Sequence, residues 1–273
     1  MTFIARKRGY ALGMNRDEKL TREKGQPPEV RSQNGVKVLC PSESNGGTWI
    51  AVNEFGASLS LINWYSVTNR VEHAPVSRGE VIKTLSACDS PDAVNSGLTT
   101  LPVARVNPFR LIGVFPAFGS IAEWRWDLEQ LIRKTHPWKT QQWISSGFDE
   151  PTAQRMRGET FRRALRQSSS GSLGWLRRLH GSHGPNVGPF STCMHRSDAA
   201  TVSYTEVSVT SHLTVMRHCT RSLCQRPKLS QSHLSASKRT SEWSRPVAPR
   251  DPLTESLLPD KPLAHADFPH PKF

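Results

Sequence analysis

Asn15-Arg16-Asp17-Glu18 places an amide, a guanidinium and two carboxylates in four consecutive residues, directly after the apolar run Tyr10-Ala11-Leu12-Gly13-Met14. Charged groups delivered at a strand end are well placed for a site, although an adjacent Arg16 and Asp17 can equally close a hairpin with a salt bridge. Asn63 ends another apolar run, where its amide can donate to an oxyanion or satisfy a backbone turn. Gly46 and Gly47 leave room for a ligand to approach the backbone, or supply the φ freedom of a tight turn before Trp49. Trp49 and Trp64 suit the core or the rim of a pocket better than a ligand platform. Asn15, Gly46, Gly47 and Trp49 form the candidate binding set.

Cys193, His195, His218, Cys219 and Cys224 invite a zinc reading. Their spacings lack the two-residue gaps that let a knuckle wrap zinc, and an intervening strand accounts for their separation. The spacing therefore predicts no metal centre, and no cofactor is expected.

The elements that must carry these residues are strands at both ends and helices between. Phe3-Ile4-Ala5 and Tyr10 to Met14 predict a hairpin that delivers Asn15 to Glu18. Val36 to Cys40 reads as a strand after the break at Gln26-Pro27-Pro28, and Trp49 to Val52 pairs with Ser58 to Ile62 as a second hairpin. Arg78 to Cys88 and Ser90 to Leu98 read as helices, the second capped by Ser90 with Pro91 at its first position. Phe109 to Phe115 is a further strand. Asp149-Glu150-Pro151 starts a helix that runs to Gln167, with Ala153, Met156, Phe161 and Ala164 at helical spacing. Ser168 to Ser172 reads as a flexible joint, Val202 to Val209 as a strand, and Leu213 to Met216 as its hairpin partner.

The chain has 273 residues, 36% of them hydrophobic, with 18 glycines and 20 prolines, which suits one globular domain with a polar appendage. No apolar run is long enough to span a bilayer, and the start lacks a signal peptide's pattern. Five scattered cysteines without an export signal predict free thiols and a cytoplasmic location. The net charge of +13 raises the question of nucleic acid. Seven arginines between Arg155 and Arg178 carry much of the excess; a local patch of this kind is usually a solvated helix face, and nucleic acid is disfavoured as a partner.

Four segments occur in order: Asn15-Arg16-Asp17-Glu18, then Gly46-Gly47-Thr48-Trp49-Ile50-Ala51-Val52-Asn53 leading into Ile62-Asn63-Trp64, then Ser77-Arg78-Gly79-Glu80, then His195-Arg196-Ser197-Asp198 running into Ala199-Ala200-Thr201-Val202-Ser203. Together they resemble the NRDE family, the relatives of transport and Golgi organization protein 2, over residues 1–225. The resemblance implies an α+β, N-terminal-nucleophile-hydrolase-like four-layer sandwich, two antiparallel sheets between helical layers, similar to the bile-salt and penicillin V acylases. It also implies amide or thioester hydrolysis by a residue directly after the initiator methionine, usually cysteine. Its own α-amine, with a pKa of about 8, takes the nucleophile's proton. On this resemblance Arg16 and Asp17 hold the nucleophile and tune its protonation, and Asn63 faces the oxyanion. The alternatives are a non-catalytic haem- or lipid-handling or trafficking role, with a haem- or lipid-derived small molecule as ligand, and nucleic-acid binding through the 155–178 arginine patch.

The pattern departs at its start. The family begins Met-Cys-Thr before a Thr-Phe strand, whereas this chain begins Met1-Thr2-Phe3 and has no cysteine before Cys40, so the usual nucleophile is expected to be missing from the chain as written. Thr2 is a substitute nucleophile in type, but it stands an odd number of positions from the family's cysteine and so belongs on the opposite strand face. Arg226 to Phe273 is rich in proline and serine without apolar periodicity and is expected to be a disordered tail after a 1–225 domain.

Overall fold

The computed structural model describes residues 1–237 and 254–256. Two antiparallel sheets lie face to face. The first contains, in spatial order, β10 (Gln141–Gln142), β1 (Thr2–Ala5), β2 (Tyr10–Lys19), β11 (Ala199–Val209), β12 (Leu213–Cys219) and β13 (Ser230–Ser235). The second runs β14 (Thr254–Ser256), β9 (Leu131–His136), β8 (Ser120–Trp126), β7 (Phe109–Phe115), β6 (Ser58–Asn63), β5 (Ile50–Asn53), β4 (Val36–Ser42) and β3 (Gln26–Gln33). Helices α1 (Arg78–Leu85) and α2 (Pro91–Thr100) cover the second sheet, while α3 (Glu150–Leu165) and α4 (Leu173–His180) cover the first. The result is the α+β four-layer sandwich that the motifs imply.

Period-two alternation assigns side chains to layers. Phe3, Tyr10, Leu12 and Met14 point between the sheets, where they meet Leu39, Ile50, Val52, Ile112 and Val114. Ile4 and Ala11 point outward against Ala164 of α3 and Trp175, Leu176 and Leu179 of α4. On the far side Val81, Ile82, Leu85, Val94 and Leu98 of α1 and α2 bury against Leu59, Leu61, Leu111 and Trp124. Among the described residues, no helix is long and apolar enough to cross a membrane.

Several elements differ from expectation. The supposed break at Gln26-Pro27-Pro28 lies inside β3, an edge strand whose register shifts between Gln26 and Glu29; prolines are tolerated at such an edge because no ladder donor is needed there. Asn34 and Gly35, at φ 51° and 78°, form the two-residue turn into β4, and Asn-Gly is the sequence signal for that hairpin. Ser172 is a helix cap rather than part of a flexible joint: its hydroxyl accepts from Trp175 N at 3.0 Å and starts α4. The domain limit expected at residue 225 is too early. Ser230–Ser235 pairs along β12, and Leu234 is buried in the layer between the sheets, so six backbone units of the expected tail are sheet. Residues 238–253 and 257–273 of the expected tail lie outside the described residues.

Strands β8 and β9 follow from no clean apolar alternation because their inward line carries Glu123. This fully buried carboxylate accepts from Arg110 Nε at 2.6 Å and Arg125 Nε at 3.0 Å, and sits 2.7 Å from His136 Nε2. Burial pushes the Glu123 carboxyl up, but His136, Arg110 and Arg125 outweigh it and hold it well below the usual range. Arg110 also donates to Ile144 O at 3.2 Å and so anchors the segment that follows β10.

Glu123→Gln leaves two guanidinium groups without their carboxylate and is expected to cost roughly 3–5 kcal/mol, read as a lower urea midpoint. Glu123 stabilises the fold fully above the unfolded carboxyl pKa of about 4.3 and progressively less as pH falls below it. Burial, then Arg16, pushes buried His218 down to about 4. Its neutral ring costs stability once the unfolded chain takes up a proton, below about pH 6.5. Unfolding free energy should therefore decline from about pH 6.5 downward; a midpoint unchanged between about pH 7 and pH 5 would contradict the His218 placement, and one unchanged between about pH 4 and pH 2 the Glu123 placement.

Candidate functional site

Beyond Met14 the inward line of β2 stops being apolar, and a cleft of about 670 Å³ opens there, lined by Met1, Arg16, Asp17, Trp49, Asn63 and Arg157 among others. Arg16 is the next inward residue, only 7% exposed; it reaches Glu43 at 2.6 Å and Glu18 at 3.4 Å and lies 4.8 Å over the Trp49 ring. Asp17 accepts from the Thr201 hydroxyl at 2.6 Å and faces Arg157 at 3.6 Å. The alternative of an Arg16–Asp17 bridge is not realised, because successive residues of a strand point to opposite faces.

Asn63 lines the cleft and donates one amide N–H to the Tyr65 hydroxyl at 2.8 Å. Asn15 also borders it, but its amide is committed to the scaffold, donating to His180 O at 2.9 Å and Thr192 O at 2.8 Å. Gly46 and Gly47 are not brought to the cleft wall. Gly46 makes a turn at φ 81°, donating to Glu43 O, and Gly47 lies under Gly79, where an added Cβ would come within 2.9 Å of Gly47 Cα. These glycines serve a turn and a close backbone approach. That approach joins two of the motif segments and sets Arg78, at the start of α1, on the cleft.

Thr2 fails as a nucleophile for this cleft. Its hydroxyl is fully buried on the outward face of β1, 3.0 Å from His180 Nε2. Asn15 Oδ1 can only accept, so His180 Nδ1 carries the proton at 3.1 Å and Nε2 accepts from Thr2. Burial pushes His180 well down, keeping it neutral. A hydroxyl, an imidazole and an amide in line have the order of a catalytic relay, but sealed from any substrate they tie β1 and β2 to α4.

Met1, in contrast, packs with Phe3 and Ala5 on the inward side. Its nitrogen donates to Trp143 O at 2.9 Å. An amine there is pushed down to about 5, by burial first and then Arg157, with Asp17 acting in the opposite sense and Arg110 lowering it further. Arg157 is a cleft residue that the sequence hides. In the arginine-rich stretch it reads as part of a solvated face, yet it is buried, donating to Ser145 O and Pro189 O at 3.2 Å each. Its inward position follows from Ala153 and Ala164 on the same helix, which are also buried. Arg177 is likewise withdrawn from the patch by a bidentate bond to Glu206, while Arg155, Arg162, Arg163, Arg166 and Arg178 remain exposed.

Cys193, His195 and Cys224 do converge, joined by His183, with their ligating atoms all within 4.8 Å of one another. His218 and Cys219 stand apart from this group: His218 Nδ1 bonds the Thr205 hydroxyl at 3.0 Å, and Cys219 Sγ faces Arg221 O. Knuckle spacing is a rule for one local loop, whereas these side chains come from both ends of the loop between α4 and β11 and from the turn after β12.

Residues 2–121 match the family model described as Transport and Golgi organisation 2, in agreement with the NRDE motifs. No curated protein matches the chain. Among solved structures, the chain is similar in fold to penicillin V acylase from Agrobacterium tumefaciens, at 12% identity and a TM-score of 0.51, over 89% of this chain and 88% of that one. A mutant conjugated bile acid hydrolase from Clostridium perfringens aligns at 10% identity and a TM-score of 0.47, over 93% and 96% of the two chains. The first likeness establishes an N-terminal-nucleophile-hydrolase-like fold.

Gly79→Ala forces a Cβ against backbone and is expected to destabilise by roughly 1–3 kcal/mol, measured by urea unfolding. Gly158→Ala, whose Cβ meets only the Arg162 guanidinium at 3.6 Å, is the control. It should instead stabilise α3 by roughly 0.5–1 kcal/mol. Equal effects at the two positions would remove the case for a Gly47–Gly79 contact.

Proposed function

We propose that the cleft is a hydrolase site for an amide or thioester, using a nucleophile and an amine at the head of β1. The supporting observation is the surroundings of the Met1 nitrogen, buried beside Trp143 O with Asp17 and Arg157 as its charged neighbours. An amine held there is unprotonated at neutral pH and can take a nucleophile's proton without recruiting a histidine. Asp17, fixed by Thr201, and Arg157, fixed by two carbonyls, are rigid enough to orient it. Asn63 has a second amide N–H beyond the one given to Tyr65, available to a developing oxyanion. Arg16, tied to Glu43, shapes the wall beside Trp49.

Alternation on β1 places Met1, Phe3 and Ala5 between the sheets, so the nucleophile belongs on that line rather than at Thr2. The substrate is expected to carry an anionic group. Arg78 borders the cleft and donates to Pro108 O at 3.2 Å, with no carboxylate partner in bonding range among the described residues. The fold is one that a penicillin V acylase also uses.

The test is a chain in which cysteine replaces Met1 as the terminal residue, exposed by removal of an added initiator methionine, so that its amine takes the place of the Met1 nitrogen and its side chain the inward line, assayed against N-acyl amides and acyl thioesters with and without a carboxylate. Turnover is expected, falling on the order of 100-fold in kcat with Asn63→Ala. Arg78→Met should raise KM for the carboxylate-bearing members alone. Binding without turnover of any member would replace this reading with the non-catalytic, haem- or lipid-handling one.

A further inference from the structure

His183, Cys193 and His195 come from the two ends of the loop between α4 and β11, and Cys224 from the turn after β12. His195 Nε2 lies 3.6 Å from Cys193 Sγ and 3.4 Å from Cys224 Sγ. The ring of His183 stands 5.1 Å from that of His195, centroid to centroid, and its Nε2 is buried without a hydrogen-bond partner. Hydrogen bonding leaves this arrangement half explained. A neutral imidazole nitrogen has one lone pair and can accept from one thiol, yet two thiols face it and a second imidazole nitrogen is left over.

A tetrahedral ion explains all four. With metal–sulfur bonds of about 2.3 Å and metal–nitrogen bonds of about 2.0–2.1 Å, sulfur and nitrogen on a tetrahedron stand about 3.5 Å apart. Both measured separations agree with that value, and every pair lies within 4.8 Å. Two thiolates and two neutral imidazoles would balance a dication, and the two thiol protons leave on binding. Borderline-soft Zn²⁺ suits such a mixed sulfur and nitrogen set. The backbone already holds the segments in place: Cys193 N donates to Ser182 O at 2.9 Å, and His195 N to Gly188 O at 3.2 Å.

We propose that His183, Cys193, His195 and Cys224 form a structural zinc site that clamps the loop between α4 and β11 to the turn after β12. Thr192, Met194 and Arg196 of that loop line the cleft, so the ion holds one cleft wall without touching a ligand there. With four protein ligands the site is closed, and its contribution is to stability and to the shape of the wall.

Protein purified without chelators is expected to contain one zinc per chain by mass spectrometry of its metals. Replacing zinc with Co²⁺ in the wild-type chain should give visible bands of tetrahedral intensity with a thiolate-to-cobalt charge-transfer band. Cys224→Ser and His183→Ala should each lose the metal, while Cys219→Ser and Cys88→Ser keep it. Chelation should lower the unfolding temperature and zinc restore it. Wild-type protein that holds no stoichiometric zinc and gives an octahedral or absent cobalt spectrum overturns the site, as does a Cys193–Cys224 disulfide in a non-reduced peptide map. Because the cobalt spectrum is taken on the unaltered chain, misfolding of a variant does not blunt the test.

Discussion

Arg16 stands on the line that Tyr10, Leu12 and Met14 send between the sheets, and a guanidinium in that position must be paired or the interior cannot close around it. The pairing decides the end of the sandwich. Glu43 reaches in from beyond β4, Glu18 turns back from β2, and the Trp49 face covers the cation. An apolar side chain at the same place would have extended the core by one more layer. A charged one ends the core and leaves a polar cleft.

The two helical layers then reach that cleft by different means. On one side α1 comes so close to the turn before Trp49 that only glycine fits at position 79, and this places Arg78 on the rim. On the other, α3 sends Arg157 inward to two loop carbonyls and Asp17, while α4 sends His180 to Thr2 and Asn15. Each helix is thereby fixed to the head of the β1–β2 hairpin. The motif around Asn15 accordingly divides its labour. Asn15 serves the scaffold, Arg16 closes the interior, and Asp17 faces the amine at the head of β1.

Much of the architecture was legible in local pattern. Alternation in Tyr10 to Met14 and in Val202 to Val209 marks strands whose two faces meet different layers, and Ser90 with Pro91 marks the start of α2, where the Ser90 hydroxyl accepts from Ala93 N at 3.2 Å. The Asn34-Gly35 turn and the Ser172 cap carried equally local signals. Elements with a buried charge were harder, since Glu123 on β8 breaks the apolar line that would announce a strand. The edge strand β13 was harder still, because Leu234 is its one buried apolar residue.

The sequence by itself determined the layers, the position of the charged motif at a strand end and the set of residue types available there. Period, caps and turns act between residues a few positions apart, so a linear reading recovers them. Tertiary structure alone decided which charges meet. Arg16 takes Glu43 rather than Asp17, Arg157 leaves an arginine-rich surface for the cleft, and His183 comes close to Cys224, 41 residues further along the chain. The physical reason is that an ion pair or a ligand cluster depends on distance in space, and the crossing of β11 and β12 through the middle of the sheet sets those distances without leaving a trace in spacing.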